Sequence, residues 1–121
     1  MSRNRGLDLQ NGLARYLRQF WPGAESAGAG RPGTDVLGVV GVVFENKTAD
    51  RFEPLAFVRQ AQEHGKRSNR RKPGTVLCSE ADEAIPVVVY WPRGVGEANA
   101  GNTLAIVPLK VMVGLLKEAG Y

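Results

Sequence analysis

Two long runs rich in β-branched residues constrain the fold more than any other feature of this sequence. The first, DVLGVVGVVFENK, covers residues 35–47, and the second, IPVVVYW, covers residues 85–91. The first run is nearly continuous in apolar residues rather than alternating, which is typical of strands covered on both faces. A segment with helical spacing separates the two runs, so we expect the central strands to be parallel and buried in one sheet.

The remaining apolar residues predict three helices around this sheet. Residues 8–20 have one apolar face and end at a Trp-Pro-Gly sequence that stops the helix. A second helix is predicted from the Glu-Pro pair at 53–54 to about residue 63, where a His-Gly pair ends it. The third begins at Pro108 and ends before Gly120. These helices lie before, between and after the β-runs.

The strands are predicted to form two hairpins. Residues 35–40 and 42–47 are expected to pair through a tight turn at Gly41, and a short strand is predicted near residues 23–26. Residues 103–107 are expected to pair with the strand at 85–91. The order is helix, strands, helix, strand, strand, helix, which indicates one α/β or α+β domain with a single sheet.

Size and composition exclude several classes of protein. The chain has 121 residues, 43% of them hydrophobic, which suits a single domain over 1–121 and excludes a disordered chain. No apolar run approaches the ~20 residues of a membrane helix, and no signal-peptide pattern is present, so a cytoplasmic protein is expected. With only Cys78 and His64, an internal disulfide and a zinc site of Cys or His ligands are not expected.

The charge distribution suggests a polyanionic partner without proving one. The formal net charge is +4. Five of the basic residues fall within residues 66–72, inside a polar segment, 65–84, that is predicted to be a long surface loop. A run of this kind is either a solvated loop or a contact for nucleic acid.

The end of the first β-run carries a pair of opposite charges. Glu45 and Lys47 share one face of the strand and Asn46 points to the other. Asp35 would reach the same end of the hairpin. Two carboxylates close together favour a cation between them, and Mg²⁺ or Mn²⁺ prefers such oxygen ligands. A nearby lysine suits metal-assisted phosphodiester hydrolysis. From these residues alone, a surface ion pair worth ~0.2–1 kcal/mol remains the alternative.

The spacing Asp35-(x9)-Glu45-x-Lys47 resembles the motif of the PD-(D/E)XK nuclease superfamily, with Thr34 in the place of a frequent proline. More narrowly, the chain resembles archaeal-type and bacteriophage Holliday junction resolvases. The matching stretches are GTDVLG (33–38), VVFENK (42–47), FEPLAFVRQAQ (52–62), PVVVYWPRGVGE (86–97) and LAIVPL (104–109). The resemblance implies a restriction-endonuclease-like αβββαβ core with a mixed central sheet flanked by helices. It also implies a Mg²⁺-dependent endonuclease that resolves four-way DNA junctions.

The resemblance assigns roles to individual residues. Asp35 and Glu45 would hold the metal, Lys47 would orient the attacking water, and Gln60 would lie near the metal unless it is only a helix-surface amide. Resolvases usually have a metal-binding glutamate in the first helix. That position is Gln10 here, whose neutral amide oxygen would stand in for the carboxylate unless another acid, Asp8 or Glu25, takes over.

The resemblance also implies DNA as the partner. Ser26 would lie near the scissile phosphate, and arginine and lysine would contact other phosphates. The candidates are Arg31, Lys66, Arg67, Arg70, Arg71 and Lys72. A two-fold symmetric junction suits a homodimer, joined through residues 85–91 or the last helix. Another nuclease of the superfamily, a non-catalytic DNA-binding protein on the same fold, and an interaction domain with a basic face remain alternatives.

Overall fold

The structure is a computed structural model that describes residues 5–28, 33–48, 50–67 and 84–121. A 3₁₀ helix (Glu97–Asn102) precedes the last strand. In chain order the other elements are α1 (Arg5–Leu17), β1 (Glu25–Ser26), β2 (Val36–Leu37), β3 (Val42–Lys47), α2 (Pro54–Arg67), β4 (Ile85–Tyr90), β5 (Leu104–Ile106) and α3 (Leu109–Glu118). The predicted order of helices and strands is confirmed.

The main sheet has three strands in the order β3-β4-β5. β3 and β4 are parallel, as predicted for the central strands, and β5 is antiparallel to β4, as predicted for the second hairpin. Lys47 lies opposite Tyr90 in the parallel register. The carboxyl ends of β3 and β4 therefore lie side by side.

The predicted tight turn at Gly41 is present, with a φ of +86° at that residue, but the predicted pairing of residues 35–40 with 42–47 as two strands of a hairpin is wrong. β2 is only two residues long and pairs antiparallel with β1, so the described residues form two sheets rather than one. Side chains take the place of the missing strand along the edge of β3. The Phe44 N–H donates to Thr34 Oγ1 at 2.9 Å, and the Asn46 N–H donates to the Asp35 carboxylate at 2.7 Å. Together with the Asp35 N–H, which donates to the Phe44 carbonyl, these two side chains close the edge of β3.

α2 continues past the position where the sequence predicted its end. It includes His64 and Gly65 and ends at Arg67. A Cβ at position 65 would lie 3.0 Å from the Ala84 carbonyl oxygen, so glycine here permits close packing rather than a helix stop. Lys66 and Arg67 consequently lie on the helix, not in a loop as predicted. Residues 68–83, the rest of that loop, lie outside the described residues.

Helices cover both faces of the main sheet, as its apolar strands predicted. One layer joins α1 to the sheet and is formed mainly by Leu9, Leu13, Leu17, Val36, Phe44, Val89 and Trp91. The other joins α2 to the sheet and is formed by Val43, Phe57, Ala61, Ala84 and Val88. The described residues are therefore a mixed α/β domain with a mixed three-stranded sheet. Among them, no helix is both long and apolar enough to cross a membrane.

Candidate active site

Asp35 is fixed at the edge of β3 through its backbone and its side chain. Its N–H donates to the Phe44 carbonyl at 2.8 Å, and its own carbonyl accepts from the Ala27 N–H at 2.9 Å. Its carboxylate oxygen Oδ2 accepts from the Asn46 N–H. A backbone bond and a side-chain bond therefore hold the carboxylate next to the peptide that joins Glu45 to Asn46.

Glu45 is a buried acid whose side chain is on the α2 face of the sheet. The residue is only 3% exposed. Its Oε1 lies 2.5 Å from His64 Nδ1, so the two side chains form a close pair. Burial raises the pKa of Glu45, and repulsion from Asp35 raises it further. The charges of His64 and Lys47 act against these effects.

The pKa of Asp35 is also raised, chiefly by burial. The Asn46 N–H and the charges of Lys47 and His64 lower this pKa, but they do not cancel the burial. Asp35 and Glu45 are thus two desolvated carboxyl groups that repel each other. Such a pair binds protons or cations more tightly than either group alone would.

Lys47 and Gln60 form the other side of the site. The Lys47 ammonium donates to Gln60 Oε1 at 2.6 Å and lies 5.4 Å from the centre of the Phe57 ring. Both partners belong to α2, which faces the Glu45 side of β3. Gln60 is therefore in contact with the predicted site, where it holds the lysine.

His64 belongs to this cluster, although no pattern in the sequence assigned it a role. It lies four residues after Gln60, on the same face of α2. The spacing is visible only in a helix that continues past Gly65, where the sequence predicts a helix stop. The structure places His64 where its imidazole faces the buried carboxyl of Glu45.

Gln10 and Ser26 contact each other on the α1 side of the β1–β2 ribbon. Gln10 Nε2 donates to Ser26 Oγ at 2.9 Å and approaches the Gly28 carbonyl at 3.5 Å. Ser26 lies opposite Val36, the residue after Asp35. Among the described residues, no hydrogen bond joins Gln10 or Ser26 to Asp35 or Glu45. The predicted metal role of Gln10 stays a prediction.

Little of the predicted DNA-binding set lies within the described residues. Lys66 lies in the last turn of α2, and its ammonium is 3.4 Å from Glu63. Arg67 is the last residue of the same helix. Arg31, Arg70, Arg71 and Lys72 lie outside the described residues.

The donor atoms of Asp35 and Glu45 suit a divalent cation. No group of three or more His, Cys, Asp or Glu side chains in the described ranges is arranged to hold a metal ion. Mg²⁺, however, is commonly bound through one or two carboxylates and keeps several waters. Two desolvated carboxyls that repel each other are compatible with that coordination.

The raised pKa values predict that stability depends on pH. A carboxyl whose pKa is higher in the folded than in the unfolded state stabilises the fold at low pH and loses this contribution as pH rises. We expect the free energy of unfolding to fall as pH rises above the ordinary pKa values of 3.8 for Asp35 and 4.5 for Glu45. Urea titrations in metal-free buffer, at several pH values, measure this.

The matched variant for this test is Asp35→Asn combined with Glu45→Gln. Asparagine still accepts from the Asn46 N–H, but neither new side chain titrates. The difference in unfolding free energy between wild type and variant isolates the two carboxyls from all other groups. If this difference does not change with pH, the two pKa values are not raised.

In comparisons with known proteins, no family model, curated protein or solved structure matches the chain.

Proposed function

We propose that this protein is a metal-dependent endonuclease that hydrolyses phosphodiester bonds in branched DNA and resolves four-way junctions. The observation that supports hydrolysis is the meeting of Asp35, Glu45 and Lys47 at one end of β3, with the lysine held by Gln60. The specificity for junctions rests on the resemblance to Holliday junction resolvases.

Asp35 and Glu45 would hold Mg²⁺ or Mn²⁺. When bound, the metal stabilises negative charge on a phosphate and lowers the pKa of a water molecule. The burial of the two carboxyls favours this role, since a cation would relieve both desolvation and repulsion.

Lys47 would hold the nucleophilic water or a phosphate oxygen. An ammonium has three donors, and Gln60 Oε1 accepts one of them. This bond restricts a long and flexible side chain, so the remaining donors are oriented before the substrate arrives. Such preorganised donors are effective where negative charge develops in the transition state.

We also propose a restriction-endonuclease-like core for this chain, with which the fold is compatible. Its first six elements follow the order α1, β1, β2, β3, α2, β4, as the resemblance implied. The acidic residues and the lysine come from β3 and from the segment before β2. Arg31 and the basic residues 66–72 would supply the phosphate contacts of the DNA.

We propose a homodimer as the active form, because a four-way junction has two symmetric cleavage sites. The sequence predicts that residues 85–91 or the last helix form the contact. β4 is the central strand and is covered on both sides, whereas α3 has four exposed apolar residues. They are Leu109, Met112, Val113 and Leu116. This face of α3 is the surface that a second copy would cover.

A labelled synthetic junction tests the proposed activity. With Mg²⁺, the purified protein is expected to introduce paired, symmetric nicks in a four-way junction and to leave a linear duplex of the same sequence intact. Denaturing gels with each strand labelled in turn measure this. Equal cutting of the linear duplex would leave a nuclease of another specificity. Binding without cutting in Mg²⁺ or Mn²⁺ would support the non-catalytic alternative.

A further inference from the structure

Asn46 lies between the two charged residues of the candidate site but has different partners. Its side chain is on the α1 face of β3. The amide oxygen Oδ1 accepts from Trp91 Nε1, and Nδ2 donates to the Gly6 carbonyl at 3.3 Å. Its backbone N–H donates to Asp35 Oδ2 at 2.7 Å. One residue therefore connects the start of α1, the end of β4 and the candidate metal ligand.

The chemistry of these partners is specific for a primary amide. The indole nitrogen of Trp91 can only donate, and the carbonyl of Gly6 can only accept. An aspartate would lack the donor, and leucine would lack both groups. Trp91 is 4% exposed, so its N–H depends on a protein acceptor. Both ends of the Asn46 amide are thus engaged, and the side chain has little freedom to rotate.

We propose that Asn46 is a positioning residue for Asp35. The side-chain amide fixes the residue at the end of β3, and this aims its N–H at the carboxylate. A carboxylate with one oxygen held by a backbone N–H has a fixed orientation, so the direction of its second oxygen is also set. Through Asn46, the orientation of Asp35 depends on the packing of α1 and of Trp91. Neither makes a described hydrogen bond with the carboxylate itself.

The inference rests on the proposed function only in taking Asp35 as a metal ligand. Residues that orient a ligand through a hydrogen bond affect metal affinity by about 10- to 100-fold when they are replaced. Asn46→Leu keeps a similar size and the backbone N–H but removes both side-chain bonds. We expect this variant to bind Mn²⁺ roughly 10-fold more weakly than wild type in calorimetric titrations.

Amide hydrogen exchange provides a readout that needs neither metal nor DNA. The residue 46 amide is expected to exchange faster in Asn46→Leu, because the bond to Asp35 is no longer held in place. The Phe44 amide, which donates to Thr34 Oγ1 on the same edge of β3, is the internal control and should keep its protection. Trp91→Phe removes one of the two side-chain hydrogen bonds of Asn46. It should weaken Mn²⁺ binding and speed exchange of the residue 46 amide, both to a smaller extent. This variant replaces Asn46→Leu if Asn46→Leu does not fold.

A loss of stability alone would not explain these results. Val111→Ala removes a buried side chain of α3, outside the two layers around the candidate site, and should leave Mn²⁺ affinity and residue 46 protection unchanged. Unchanged protection of residue 46 in a folded variant would overturn the proposal, as would unchanged Mn²⁺ affinity despite lost protection. If wild type itself binds no Mn²⁺, the proposed function fails, and the exchange measurement still decides whether Asn46 positions Asp35.

Discussion

Replacing either Asp35 or Glu45 is expected to abolish cleavage while binding to the junction persists. Bound metal supplies several kcal/mol of transition-state stabilisation, which corresponds to at least roughly 10³-fold in rate. Asp35→Asn and Glu45→Gln are the sharpest variants, because both keep the shape of the side chain. Single-turnover nicking of a labelled junction measures the rate, and fluorescence anisotropy measures the binding.

The same two variants are expected to be more stable than wild type near neutral pH. Each removes a charge whose burial outweighs its favourable interactions with Lys47 and His64, as the raised pKa of both carboxyls indicates. A loss of cleavage together with a gain in unfolding free energy therefore cannot be attributed to misfolding. Loss of activity with this gain is characteristic of groups retained for function rather than for the fold.

An exposed acid on α2, the helix that faces Glu45, provides the control. Glu63 is on α2, its side chain is 57% exposed, and it pairs with Lys66 on the surface. Glu63→Gln should leave cleavage within about twofold of wild type, because an exposed ion pair contributes little. If Asp35→Asn and Glu45→Gln cut as fast as Glu63→Gln, the catalytic site lies elsewhere.

The residues of the site could be predicted from the sequence where a simple period governs them. Strand alternation places Glu45 and Lys47 on one face, and their contacts with α2 confirm it. Residue patterns could not predict how Asp35 reaches this site. Of the expected backbone pairing, the bond from the Asp35 N–H to the Phe44 carbonyl is present, and the side chains of Thr34 and Asp35 accept from the next two N–H groups of the edge strand.

The end of α2, the position of His64 and the partner of Asn46 could not be predicted for one physical reason: each depends on contacts between distant parts of the chain. Gly65 has a low helix propensity, but packing against Ala84 outweighs it, and His64 thereby joins the site. Strand alternation correctly predicts that Asn46 points away from Glu45. Its partner Trp91, however, comes 45 residues later in the chain, after α2. Local propensity and periodicity carry no information about such partners.

Gly38→Ala is expected to destabilise the fold strongly, because the new methyl group meets both a backbone strain and a steric clash. Gly38 follows β2 with a φ of +88°, a conformation that costs an alanine about 1–2 kcal/mol. A Cβ there would also lie 2.1 Å from the Gly23 carbonyl oxygen and 2.5 Å from its carbonyl carbon. Backbone atoms cannot move aside as a side chain can, so we expect a total loss of roughly 3 kcal/mol or more in urea unfolding.

Gly94→Ala separates the two contributions. Gly94 has a φ of +85°, but nothing lies within 4 Å of a Cβ built on it. It should lose only the conformational part, about 1–2 kcal/mol. Equal losses in the two variants would contradict the close approach of β2 to the turn after α1. Since Asp35 precedes β2 directly, displacement of this ribbon should also lower Mn²⁺ affinity in Gly38→Ala and leave it unchanged in Gly94→Ala.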